Sequence, residues 1–479
     1  MPREVALFST ILFIVWLFAR DRKVRPMTSG ALWIPLLWIT IVGTRSVSFW
    51  FGMEIQDDSP EGYLEGSPLD RAVFSILILL GLLVLSRRKL SWGNIIASNR
   101  WFFAFFFYCA LSILWSEYPF VSFKRWTKEL GNVVVILILL TERDQIQALR
   151  AVLSRFTYVV IPISVLLIKY YSELGRTYNR WTGEPAFTGI TTNKNELGCA
   201  LFVGGLFLVW DLMESRAFSS GRSDKVDMMV QGVLILMLAW LLIIVQSSTA
   251  LVSLVFGASI LLFIHTPAAQ RHVRHLGLYT IVAACLFFLL YFFPALTEMI
   301  VEAVGRDMTF TGRTDLWADL INVPINPVLG TGYKSFWLGP RVEPIWNKYY
   351  FHPNQAHNGY LETYLNGGWI AVLLLIAVII STGTKLKKTL LLGGHYASLS
   401  FSYFVIALFY NWTEAMIGGP SLIWLILLIA TLSYHRSSVL EIERVKGYPY
   451  GTTSKYQAKL QYYSPPKEAK QKTRRVMGS

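Results

Sequence analysis

Runs of about 20 apolar residues recur along almost the whole chain, and they leave few ways to fold it. A bilayer core of roughly 30 Å takes about 20 residues of helix per crossing. In lipid every backbone N–H and C=O must be satisfied within the segment, so such runs cross as helices. About thirteen windows fit this length. They lie near residues 4–19, 31–50, 72–86, 95–115, 129–141, 156–171, 196–213, 228–246, 248–264, 277–293, 367–383, 395–412 and 420–435. The windows at 72–86 and 129–141 are short, so the expected fold is an all-α polytopic membrane protein with about 12–13 transmembrane helices. Composition agrees: 54% of residues are hydrophobic and 15% charged, against about 25% charged in a soluble domain. A soluble enzyme, a disordered chain and a disulfide scaffold are excluded. Cys109, Cys199 and Cys285 all fall in apolar stretches, so neither a disulfide framework nor a CxxC metal site is available.

The loops alternate in character. One set is basic and reads RDRKVR, SRRK, ERDQIQALR, SRAFSSGRSDK, AQRHVRH and TKLKK, followed by a basic C-terminal tail. The other set holds most of the acidic residues. Lys and Arg near span ends mark the cytoplasmic side, so the N-terminus is expected outside and the C-terminus inside. In the first span the positive cluster Arg20, Arg22, Lys23 and Arg25 follows the apolar run instead of preceding it, so this span is not expected to be a cleavable signal peptide. The expected organisation is transmembrane helices with short loops over 1–293, a long outer loop over 294–366, further transmembrane helices over 367–435, and a tail over 436–479 that is disordered or lies on anionic lipid.

The outer loops at 51–70, 172–195 and 294–366 are the long ones, and the last spans 73 residues. A loop of that length without a span is functional or disordered. This one is rich in aromatics and is expected to fold over the membrane domain. A helix is expected to begin at Thr311-Gly312-Arg313-Thr314-Asp315 and to stop before Pro324. Free N–H groups, the helix dipole and the Arg313 guanidinium then converge on a pocket suited to phosphate oxygens. The alternative is that Arg313 merely pairs with Asp315, Asp319 or Glu302. A second helix is expected near Asn354–Asn358, closing at Gly367-Gly368 and feeding the next span.

Of seven histidines, only His352 and His357 fall on the outer side, both in the long loop. A neutral imidazole at the His357 helix start can accept a proton; the alternative is an interfacial structural histidine. Arg45 lies inside the second span, where a cation marks a site or pathway or snorkels to the interface. Arg125 and Lys128 sit on an aromatic outer re-entry suited to interfacial anchoring or to sugar and phosphate binding. Glu414, in NWTEAMIGG, is an acid/base, an acceptor-positioning group or a partner for one of these arginines. The outer loops contain no HExxH, no Walker A motif and no acid-x-acid pair to cradle a divalent metal.

An outer-face synthetic enzyme has no ATP and must use a substrate activated inside. A lipid-linked sugar pyrophosphate is the natural case. Cations then stabilise the leaving pyrophosphate and a base deprotonates the incoming hydroxyl. Arg176, Arg180, Lys194 and Arg313 are available for the first task and His357 for the second, with Asn195, Asp315 and Asn358 beside them as substrate contacts.

Four segments, in order, carry a resemblance. They are Gly189-Ile190-Thr191-Thr192-Asn193-Lys194-Asn195-Glu196-Leu197-Gly198, Gly312-Arg313-Thr314-Asp315-Leu316-Trp317, Gly330-Thr331-Gly332 and Ala356-His357-Asn358-Gly359-Tyr360-Leu361. Together they resemble the O-antigen ligase/polymerase family, and within it the exopolysaccharide polymerases of the succinoglycan type. The resemblance spans roughly residues 95–435 and is strongest over 180–370. It implies an inverting, metal-independent, cofactor-free glycosyltransferase of GT-C-like build in the bacterial cytoplasmic (inner) membrane. Such an enzyme joins undecaprenyl-pyrophosphate-linked oligosaccharides on the extracytoplasmic face. The family's arginine and histidine carry over to Arg313 and His357, and its upstream arginine to Arg180 or Arg176. A flippase and a chain-length co-polymerase are the implied protein partners; nucleic acid is not a partner. Two other readings stay open: a ligase moving finished polymer to lipid A core or another acceptor, and a transporter of lipid-linked sugar. Against the last, no repeated halves and few intramembrane charges are visible.

Overall fold

The computed structural model describes residues 1–25, 28–53, 67–178, 183–218, 225–266, 269, 272–275, 313–349, 352–392 and 396–433. Met1–Tyr434 form one compact unit. The window at 277–293, Arg180, the start of the long loop at 294–312 and the tail at 436–479 lie outside the described residues.

The described chain is helical, as the apolar runs require. In order the helices are α1 (Arg3–Val24), α2 (Trp33–Val42), α3 (Val47–Trp50), α4 (Pro68–Ser86), α5 (Trp92–Ser98), α6 (Arg100–Leu111), α7 (Pro119–Leu140), α8 (Gln145–Tyr170), α9 (Ser172–Gly175), α10 (Lys194–Phe218), α11 (Lys225–Val245), α12 (Ser248–Ile264), α13 (Arg313–Ile321), α14 (Glu343–Lys348), α15 (Gly359–Leu391), α16 (Ala397–Thr413) and α17 (Leu422–Thr431). Twelve of the thirteen apolar windows coincide with these helices. Among the described residues, five helices are long and apolar enough to cross a membrane, or six if the bent pair around Asn99 counts as one. That pair, Trp92–Ser98 with Arg100–Trp115, bends by 94°. Gly30–Val42, Ser248–Ile264 and Leu422–Thr431 are apolar but shorter. The difference from 12–13 full spans has a physical source. In the three shorter apolar helices the caps and breaks cut the apolar run below the length of a full crossing, and the window at 277–293 lies outside the described residues.

α17 shows this best. Every one of its ten residues is buried, and α2, α7, α15 and α16 pack on it. A helix apolar all round belongs inside a bundle. Burial of α17 also draws in α7, whose residues Gly131–Leu139 are buried. Gly131 lets α7 close on α2, because a Cβ there would stand 1.9 Å from the Trp38 ring. Close approach over small residues is the usual means by which membrane helices gain packing contacts.

One departure from the all-helical expectation is small. Residues Arg176–Tyr178 (β1) and Pro185–Phe187 (β2) pair as an antiparallel hairpin, with Arg176 opposite Phe187.

The described part of the long loop has its own apolar core. Leu316, Leu320, Phe336, Trp337, Val342, Ile345, Ala356 and Leu365 cluster there. The loop is seated on the bundle by backbone contacts. Gly332 lies against Ser112 and Ser116, and Gly368 against Val328. Gly368 has φ +60°, the left-handed region that glycine enters at little cost. It breaks α15 where the loop helix was expected to meet the next span. The helix itself starts at Gly359 and not near Asn354.

Candidate active site

α13 carries two residues one turn apart, Arg313 and Trp317, which share a helix face. Both reach across to the 412–414 and 356–357 segments. Arg313 Nη2 donates to Glu414 Oε1 at 3.1 Å, and Nη1 donates to the Thr413 carbonyl. Trp317 Nε1 donates to the Ala356 carbonyl at 2.7 Å. Its ring sits edge-on to Trp412, with centroids 6.2 Å apart. Leu316 and Leu320 lie in the loop core, so α13 is held from one side and presents the other.

The second oxygen of Glu414 meets a histidine. His357 Nδ1 lies 3.0 Å from Glu414 Oε2. Glu414 therefore joins Arg313 and His357 into one set, although 101 residues separate Arg313 from Glu414 and 57 separate His357 from it. Burial acts to raise the Glu414 carboxyl, but the His357 hydrogen bond and the charges of His357 and Arg313 outweigh it and hold the group below the ordinary value of 4.5. A carboxylate on Nδ1 selects the tautomer in which that nitrogen bears hydrogen, leaving Nε2 as the proton acceptor. The Arg313 and His357 side chains are about a quarter exposed, at 24% and 26%, while Glu414 retains 10%. The charged fork and the imidazole are thus reachable, and the carboxylate that organises them is covered.

His357 has φ +49°. A non-glycine residue there stores about 1–3 kcal/mol and persists only where its surroundings demand it. Here both neighbours are pinned. The Ala356 N–H donates to Glu362 Oε2 at 3.0 Å and its carbonyl accepts from Trp317. On the other side Asn358 caps α15, its Oδ1 accepting from the Tyr360 and Leu361 amides at 3.0 and 3.1 Å. Glu362 is buried, and it also accepts from Trp337 Nε1 at 2.9 Å and Asn366 Nδ2 at 3.0 Å.

The Glu414 loop is held from beneath by a polar network that sequence reasoning passed over. Glu129 accepts from the Gly419 amide at 2.7 Å, Trp424 Nε1 at 2.5 Å and Asn132 Nδ2 at 3.1 Å. Asn132 also donates to the Gly419 carbonyl and accepts from Trp38 Nε1, both at 2.8 Å. Gly418 and Gly419 have φ values of +72° and +79°. From above, Lys334 Nζ donates to the Ile417 carbonyl at 3.1 Å. Burial pulls the Lys334 ammonium below its ordinary value. The Gly-Gly pair after Glu414 was the available sequence signal for a turn, but nothing in it pointed to Glu129.

The other expected site residues fall in three groups. Lys194 and Asn195 are exposed at the start of α10. That helix packs on α16, where Phe202 stacks on Tyr410 with ring centroids 6.4 Å apart. Asp315 is exposed in the first turn of α13. A second group is engaged with backbone. Arg45, 4% exposed, donates to the Thr191 carbonyl at 2.8 Å and the Leu174 carbonyl at 2.6 Å, and its guanidinium lies 4.3 Å from the Phe49 ring centroid. It ties Leu174 and Thr191 to the end of α2, and their carbonyls provide the partners that a buried cation needs. Arg125 donates to the Lys334 carbonyl, Arg176 to the Ile168 carbonyl at 2.8 Å, and Asn358 is the helix cap described above. Arg180 lies outside the described residues.

Sequence comparison meets this geometry. Residues 232–376, which include Arg313 and His357, match the family model described as O-antigen ligase. The chain is also 27% identical to the exopolysaccharide production protein ExoQ of Rhizobium meliloti (strain 1021) over 330 residues, 66% of this chain and 72% of that one. The resemblance to the O-antigen ligase/polymerase family holds. The family match ends before Glu414, so the O-antigen ligase-like segment contributes the arginine and the histidine, and a residue beyond it links them. This chain is thus an all-α, multi-pass membrane protein that is similar to O-antigen ligases and to an exopolysaccharide production protein.

Proposed function

We propose that this protein is a polysaccharide polymerase: an inverting, metal-independent glycosyltransferase that joins undecaprenyl-pyrophosphate-linked oligosaccharides on the outer face of the bacterial cytoplasmic membrane. The observation that carries this reading is the Arg313–Glu414–His357 set, which puts a guanidinium and an oriented imidazole on the two oxygens of one carboxylate. His357 Nε2 takes the proton of the acceptor hydroxyl. The acceptor oxygen attacks the anomeric carbon from the side opposite the leaving group, and the bond from that carbon to the pyrophosphate oxygen breaks. The pyrophosphate leaves on its carrier lipid with its developing charge met by Arg313. Lys194, at an exposed helix start, supplies a further cation for the same diphosphate. The C-terminus lies in the cytoplasm on this reading, and a flippase and a chain-length co-polymerase act beside the enzyme.

Deletion of the gene and complementation with His357→Ala and Arg313→Ala tests the proposal. Neither variant is expected to restore high-molecular-weight polysaccharide, and full restoration by both would end it. Labelling from either side of the membrane checks the sidedness, since residues 313–366 must react from the outside.

The description of the matched family favours a second reading, transfer of a finished chain to an acceptor such as lipid A core. The product separates the two. A polymerase deletion leaves single repeat units, whereas a ligase deletion leaves long polymer on its carrier lipid.

A further inference from the structure

Two cavities open in the loop, lined by none of Arg313, Glu414 and His357, one of about 510 Å³ and one of about 440 Å³. Both lie within the usual ligand-pocket range of about 300–1,000 Å³. Arg341 and Pro324 line both, so the cavities adjoin. Arg341 Nη2 donates to Glu117. Among the described residues, its Nη1 is buried and has no hydrogen-bond partner. A guanidinium N–H left unmatched in this way is unfavourable and marks the groove wall as incompletely satisfied.

We infer that this double cavity is a glycan-binding groove, taking the uncharged or weakly charged sugar residues that trail behind the reacting end of the chain. The inference rests on the glycosyltransferase reading above. Charge decides the ligand class. Arg341 pairs with Glu117 and Lys348 with Asp319, so the groove's cations are each matched by a carboxylate. A diphosphate gains nothing from such a lining. A polyol does, because an arginine–carboxylate pair offers a donor and an acceptor side by side, the pattern presented by neighbouring sugar hydroxyls. Asn326 adds an amide whose Oδ1 is taken by the Val328 and Leu329 N–H groups at 2.9 and 3.1 Å, leaving its Nδ2 to donate. Trp115 and Pro324 line the same cavity and supply apolar wall. The placement fits a chain leaving the reacting centre. Asp319 lies six residues from Arg313 along α13, about 9 Å at 1.5 Å per residue.

The experiment titrates purified full-length protein in detergent micelles with a free oligosaccharide of two repeat units, cut from the cell's own polysaccharide and lacking pyrophosphate, by isothermal calorimetry. Arg341→Ala is expected to weaken binding at least tenfold. Asn322→Trp, which fills the groove from an exposed position, is expected to do the same without disturbing an ion pair. If the wild type does not bind the oligosaccharide, or if both variants bind it as the wild type does, the groove inference is overturned. Coupling of lipid-linked repeat units by Arg313→Ala is measured in parallel. Retention of coupling there would overturn the catalytic reading instead, so the two failures are distinguishable.

Discussion

His357 Nδ1 stands 3.0 Å from Glu414 Oε2, and this contact joins the start of one long helix to the end of another. The same carboxylate receives Arg313 at 3.1 Å through its other oxygen. One buried carboxylate thereby sets both the tautomer of the histidine and the place of the guanidinium. Its removal leaves two groups in the right neighbourhood without a common register.

Loss of the base should be separable from loss of binding. His357→Ala is expected to lower the coupling rate about 10²–10⁴-fold, the usual contribution of a positioned proton acceptor. Binding of the lipid-linked donor should stay within a few-fold of wild type. Single-turnover assays in membrane vesicles, with donor binding measured separately, check this; an equal loss in both would place His357 in binding alone.

Arg313 and Glu414 should behave as a coupled pair. Residues in direct contact show interaction energies of about 0.5–3 kcal/mol in double-mutant cycles. Arg313→Ala and Glu414→Ala, singly and together, are therefore expected to lose less activity combined than the sum of the separate losses. Strict additivity would mean that the pair does not act as a unit.

Acid should dismantle the set through Glu414. Its carboxyl is held below the ordinary 4.5 in the folded protein, where His357 and Arg313 outweigh burial. A depressed carboxyl contributes stability above its unfolded pKa and loses it as pH falls through the folded one. Melting temperature should thus fall steeply below about pH 4.5, and Glu414→Gln should flatten that limb. An unchanged acid limb in Glu414→Gln would assign it to other groups.

Glu362 is predicted to matter for stability and, through Ala356, for the histidine. Glu362→Ala removes the acceptor of Trp337, Ala356 and Asn366 in a buried site, and each buried donor left unpaired costs about 1–3 kcal/mol. Thermal unfolding in detergent should show a clear loss. Glu362→Gln keeps an oxygen acceptor and should recover part of the stability. No change in either variant would mean that the donors find water.

Gly368 tests the seat of the loop. A Cβ there would stand 2.2 Å from the Val328 carbonyl oxygen, at a φ of +60°. Gly368→Ala is expected to lower stability and activity together, because the backbone that joins the loop to α15 must shift. Expression and melting temperature measure the first, and polymer yield the second.

Much of this protein was legible in its sequence. Apolar runs longer than a soluble core needs can only be helices in lipid, so their positions read directly. The helix start at Arg313 and the break at Gly367-Gly368 followed from cap and glycine chemistry, which is local. The chemistry of Arg313 was visible because it opens a helix, and that of His357 because only two histidines fall in the outer loops. What the linear pattern could not decide was which carboxylate they share, since Asp315 and Asp319 lie closer along the chain than Glu414. Asp319 instead takes Lys348 and Tyr349. Nor could it separate Arg45, Arg125 and Arg176, whose guanidiniums close on backbone carbonyls, from Arg313, which meets a carboxylate as well as a carbonyl. Those choices depend on which loops meet after the helices pack. Contacts between residues a hundred positions apart are set by the burial of α17 and by the Glu129 network beneath Gly419, and neither leaves a periodic mark on the sequence.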